Sequence, residues 1–64
     1  MTIKDLKQGD LFTYQDTSSM DEIPENLIRV RGHYDRSSKR YSVIKYTDSC
    51  AETFVKPSRI VFPL

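Results

Sequence analysis

The stretch "RGHYDRSSKRYSVIKY", residues 31–46, holds the densest set of chemically capable side chains in the sequence. Arg31, Arg36, Lys39, Arg40 and Lys45 stand there against one acid, Asp35, and Tyr34, Tyr41 and Tyr46 are interleaved with them. Basic groups neutralise phosphates and aromatic rings stack on bases, so this mixture is what a single-strand binding surface requires. With Arg29 just upstream, Arg29, Arg31, Arg36, Lys39 and Arg40 are the candidate phosphate contacts, and Tyr41 and Tyr46 the candidate stacking residues.

Side chains suited to catalysis are sparse. His33 is the only histidine and lies beside arginines, with no carboxylate at hand to make it a general base. Cys50, the only cysteine, has neither an activating base nor a helix amino terminus in "TDSCAE". Asp21, Glu22 and Glu25 form an acid cluster around Pro24, without the rigid opposed geometry of carboxylate catalysis. One histidine and one cysteine do not complete a four-ligand metal site, and two glycines, Gly9 and Gly32, do not make a phosphate-binding loop. The expectation is a non-enzymatic protein with no cofactor and no metal.

Charge is divided along the chain. Residues 1–27 carry two lysines against six acids, a net −4, whereas residues 28–46 carry six basic groups against Asp35, a net +5. Residues 47–64 balance, which leaves +1 for the 64 residues. Such a split allows head-to-tail self-association, and the acidic third could also repel phosphate or mask the basic strands.

The elements that must carry these groups are short. "LFTY" after Gly9-Asp10 reads as a first strand, and "QDTSSMDEIPEN", residues 15–26, as a long polar excursion loop. In that loop Ser19 and Glu22 fit a capping box that Pro24 limits to about one turn of helix. "NLIRVRGHYD" alternates, with Ile28, Val30 and Tyr34 on one side and Arg29, Arg31 and His33 on the other. "DRSSKR" is a turn opened by Asp35. "RYSVIKYTD" alternates poorly, which fits burial on both faces or a bulge. A turn at Asp48-Ser49, the strand "ETFVK", the tight turn "KPSR" and the final strand "RIVFPL" complete the chain, Pro63 fitting a strand end. If the alternation holds, Tyr34 pairs across the hairpin with Tyr41 in the core, and the arginines simply solvate the outer face.

Sixty-four residues suffice for one domain, 1–64, and bury only about 60% of the unfolded surface. With no disulfide available, stability must come from an apolar core supplied by 16 Leu, Ile, Val and Phe residues. No signal-like or membrane-length apolar run is present, and the lone cysteine fits a reducing cytoplasm. Five short strands and no convincing helix give an all-β class, with closure into a small five-stranded barrel as the way to hide strand edges.

Taken together, "LKQGDLFTY", the long loop after the first strand, the central hairpin and the one-turn "KPSR" before the last strand resemble the SH3-like barrel. More narrowly, "VRGHYDRSSKRYS" and the opening "IKDLKQGDLF" are similar to short bacterial proteins, often carried by phage or mobile elements, that have no established activity. The resemblance implies the barrel and assigns no site residues. Members of the SH3-like fold bind peptides or nucleic acids, so the fold leaves both open. The functional expectation is a small binding or accessory protein, an interaction module with a protein partner or a second copy. On that view the acidic loop 16–25 flanks a peptide groove. The alternative is weak nucleic-acid binding through the basic hairpin 28–46.

Overall fold

The computed structural model describes all residues, Met1–Leu64. Five strands form one antiparallel sheet: β1 (Leu11–Thr13), β2 (Arg29–Asp35), β3 (Arg40–Lys45), β4 (Asp48–Val55) and β5 (Phe62–Pro63). Their order across the sheet is β4-β3-β2-β1-β5, so the last strand returns beside the first. The all-β reading therefore holds. The closure expected of a barrel is not seen: β4 and β5 are the two edges and do not pair. The molecule measures 39 × 25 × 14 Å, the short dimension being that of a sheet with a single covering layer.

That layer lies on one side only. The 3₁₀ turn Ile3–Asp5 and the segment around Val61 bring Ile3, Leu6 and Val61 over Phe12 of β1 and Val43 of β3. Tyr14, Tyr41 and Val55 pack against this cluster. Backbone bonds tie the cover down: the Ile3 N–H donates to the Arg59 carbonyl at 2.9 Å and the Val61 N–H to that of Met1 at 2.9 Å. An open sheet has little interior, and only 8 of 64 residues are buried. The stability margin is correspondingly small, as expected for this chain length.

Local chemistry explains the turns. Asp35 opens the β2–β3 turn by accepting hydrogen bonds from the Ser37 N–H at 3.0 Å and the Ser37 hydroxyl at 2.8 Å. Lys39 closes that turn in the left-handed region, with φ 56°. The excursion loop carries no helical turn between Ser19 and Pro24, so the capping-box pattern there is not used. A 3₁₀ turn, Glu25–Leu27, follows Pro24 instead, because a residue without an N–H suits the start of a turn and not its interior. β4 begins at Asp48, earlier than "ETFVK" implied, so the tight turn is at Tyr46-Thr47. Cys50 lies in this longer strand and is exposed. No helix is long and apolar enough to cross a membrane.

Three aspartates, Asp5, Asp16 and the partly exposed Asp35, are held below the ordinary carboxylate value of 3.8 by hydrogen bonds to the ionised form. The Thr2 N–H and then its hydroxyl act on Asp5, the Ser18 N–H and then its hydroxyl on Asp16, and the Ser37 hydroxyl and then its N–H on Asp35. A folded-state pKa below the unfolded one contributes stability that is present above the unfolded value and lost as pH falls through the folded one. Urea midpoints should therefore hold steady down to about pH 5 and drop below about pH 4. In Asp5→Asn/Asp35→Asn the midpoint at neutral pH should be lower and the acid limb shallower. An acid limb as steep as that of the unaltered protein would refute the assignment.

Candidate nucleic-acid interface

Residues 29–35 do not alternate regularly. In the β2–β3 ladder Arg29 faces Lys45, Val30 faces Ile44 and Arg31 faces Val43, but the next pair is Tyr34 with Tyr41. Gly32 and His33 thus oppose the single residue Ser42, which makes a β-bulge. Gly32 permits the close approach: a Cβ there would meet the Ser42 Oγ at 2.7 Å. Ser42 is fully buried and its hydroxyl donates to the Glu52 carboxylate.

The bulge reverses the expected sidedness. Directly paired residues share a face, so Arg29, Arg31 and Tyr34 lie on the side of Phe12, Tyr41 and Val43, which is the core side. Val30, Ile44 and Leu11 line up on the other side. The Tyr34–Tyr41 pair expected from the sequence is formed, with ring centroids 4.8 Å apart and planes tilted by 55°. It does not, however, share a face with Val30, and the arginines do not sit opposite it.

On this face each guanidinium lies over a tyrosine. Arg31 Cζ is 4.4 Å from the centre of the Tyr41 ring. Tyr14, one residue beyond β1, has Arg59 Cζ at 4.5 Å and Arg29 Cζ at 5.7 Å. Its own ring meets Phe12 edge-on at 5.5 Å. Long arginine stems can rest on apolar surface while the charged heads stay near water, and the ring faces attract them. Burial raises the Tyr14 phenol above its ordinary value, an effect that Arg59, Arg29 and the neighbouring Thr53 hydroxyl oppose. Between these groups is a hollow of about 200 Å³ lined by Tyr14, Arg29, Val43, Lys45, Ala51 and Thr53.

Carboxylates do not neutralise these cations. Arg29 donates to the backbone carbonyls of Asn26 at 2.7 Å and Ile28 at 3.4 Å. Arg31 Nε is buried without an acceptor, and the guanidinium lies over the Tyr41 ring. Asp5, Asp10, Asp16, Asp35 and Asp48 each bind backbone N–H groups within three residues of themselves. The acidic third of the chain therefore does not mask the basic strands through hydrogen bonds.

The sequence candidates divide into groups. Arg29, Arg31 and Tyr41 come together on the hollow face, along with Lys45. Arg36 and Lys39 occupy the exposed hairpin tip, roughly 20 Å along β2 from Arg29. Arg40 belongs to a different groove, by Lys56 and Ser58. Tyr46 is half exposed in the β3–β4 turn, at the opposite end of the hairpin from the tip. Tyr14 and Arg59 escaped the sequence reading, since nothing in their local patterns links residues 45 positions apart. No group of three His, Cys, Asp or Glu side chains gathers at a point that could hold a metal ion. Comparison with protein-family models, with curated proteins and with solved structures finds no match.

Proposed function

We propose that this protein is a small non-enzymatic binding module, an SH3-like barrel in opened form, whose hollow face holds single-stranded nucleic acid. The observation that carries the reading is the layering of Arg29, Arg31 and Arg59 on Tyr14 and Tyr41 with no carboxylate partner. Phosphates would take the outer donors of the guanidiniums and Lys45, while Tyr34, 40% exposed, offers an edge or face to a base. Arg29 and Arg31 are two residues apart on one strand face, a separation of about 6.6 Å that suits successive phosphates of an extended strand. The meander order, with β5 beside β1 and the long loop 14–28 after β1, supports the SH3-like assignment. A bacterial, cytoplasmic setting belongs to the same proposal and rests on the sequence resemblance and the lone cysteine.

Titration of labelled protein with mixed-sequence single-stranded DNA and RNA tests this. With up to four phosphate contacts, the logarithm of affinity should fall against log salt with a slope of about −2 to −3. Amide shifts should centre on Tyr14, residues 29–34, Tyr41, Lys45 and Arg59. Absence of shifts at low salt would end the proposal. A protein segment added to the free edge of β4 is the second reading, favoured by that edge lacking a neighbour. It would give shifts along residues 48–55 that salt barely changes.

A further inference from the structure

A second basic site lies outside the hollow face, where β3 starts and β4 ends. Tyr41 pairs with Val55 at this end of the ladder, so the next residues outward, Arg40 and Lys56, flank each other. The chain then turns back, the Arg59 N–H donating to the Lys56 carbonyl at 3.0 Å while the Arg59 carbonyl accepts from Ile3. A groove of about 290 Å³ results, lined by Arg40, Phe54, Val55, Lys56, Ser58 and Arg59. Arg40, Lys56 and the Ser58 hydroxyl therefore border one groove with no acid in its lining, and Arg59 borders it while its guanidinium lies over Tyr14. Phe54, 41% exposed, forms an aromatic wall beside them.

Holding Arg40 and Lys56 side by side, with Arg59 at the rim, is unfavourable in the free protein and is relieved by a multiply charged anion. A carboxylate or an internal phosphodiester brings one negative charge, whereas a phosphate monoester brings about −1.5 to −2 and three acceptor oxygens. Arginine forks and a lysine match those oxygens, and the groove volume is near the small end of ligand-binding pockets. Arg59 connects the two sites, lining this groove while its guanidinium covers Tyr14 on the hollow face.

We infer that this groove binds a phosphate monoester, and that its source is the phosphorylated end of a single strand lying on the hollow face. Arg40 and Lys56 hold the phosphate oxygens, Ser58 donates a further hydrogen bond, and the Phe54 ring packs on the terminal sugar or base, while Arg59 stays on Tyr14 and links the groove to the hollow face. The identity of the source rests on the function proposed above, whereas the phosphate chemistry does not.

The test compares one oligonucleotide carrying a 5′-phosphate, a 3′-phosphate or hydroxyls at both ends, alongside a nucleoside monophosphate and inorganic phosphate alone. A phosphorylated end should raise affinity about tenfold and move the amides of residues 54–59. In Arg40→Ala/Lys56→Ala the ratio of phosphorylated to hydroxyl-ended affinity should fall to about one. Equal affinity for all ends in the unaltered protein, with shifts confined to the hollow face, overturns the inference and leaves the function proposal standing. Response of the groove to free phosphate or the monophosphate, with no oligonucleotide bound, keeps the phosphate site and overturns the single-strand source. Silence of residues 54–59 toward every phosphate compound overturns the site itself.

Discussion

Gly32→Val should leave no cooperatively folded protein at 25 °C, and Gly32→Ala should cost about 2–3 kcal/mol in urea denaturation. A Cβ at position 32 would lie 2.7 Å from the Ser42 Oγ, 2.9 Å from its Cβ and 3.2 Å from its carbonyl oxygen. Ser42 is fully buried and held by Glu52, so it has no direction in which to retreat. The carbonyl belongs to the β3 backbone, and moving it would disturb the ladders to both β2 and β4. At roughly 0.05–0.15 kcal/mol per residue, a domain of this size has about 3–10 kcal/mol in total, so the larger side chain consumes most of it. Ser42→Gly in the Gly32→Ala background should recover part of the loss, because it removes the two closest atoms. An unchanged midpoint for Gly32→Ala would mean that the two strands do not approach as described, and the sidedness of Arg31 and Tyr34 would fall with it.

The second large effect concerns binding. Arg29→Ala combined with Arg31→Ala should lower single-strand affinity about 100-fold at low salt, close to 2.7 kcal/mol. That is just under the lower end of the roughly 3–6 kcal/mol for two lost hydrogen bonds to charged groups, as fits donors that water can still reach. The salt slope should become shallower by about 1.4, from about 0.7 per contact on a single strand. Arg36→Ala with Lys39→Ala removes the same formal charge from the hairpin tip, away from the tyrosines, and should cost less than about threefold. Equal losses in the two double variants would show that net charge drives binding and would remove the layered tyrosine face from the account. Retention of the remaining amide pattern in both variants separates loss of contacts from loss of fold.

These two results probe one feature from opposite sides. The bulge at Gly32 and His33 is tolerated because Gly32 has no side chain. Its consequence is that Arg31 and Tyr34, three residues apart, share a face. A regular strand would have put them on opposite sides, with the arginines in solvent and the tyrosine among Val30 and Ile28. The sequence carried a trace of this in the poor alternation of "RYSVIKYTD" and in a glycine inside a strand pattern. Neither said which strand held the extra residue.

Much of the architecture was legible from residue types alone. Asp35 ahead of two serines made a turn because its carboxylate accepts from the Ser37 N–H and hydroxyl, a local interaction. Short β-rich runs separated by polar breaks gave an all-β class for the same reason, since propensity and turn chemistry act over a few residues. The concentration of positive charge in residues 28–46 and the opposition of Tyr34 and Tyr41 were also present in the order of the chain. What only the tertiary structure decided were relations between distant segments: the open sheet, the extension of β4 back to Asp48, and the meeting of Tyr14 with Arg59. These depend on which strands pair and where a ladder slips by one residue. Every residue beyond a slip changes sides, so the composition of a binding face emerges only after the whole sheet is assembled.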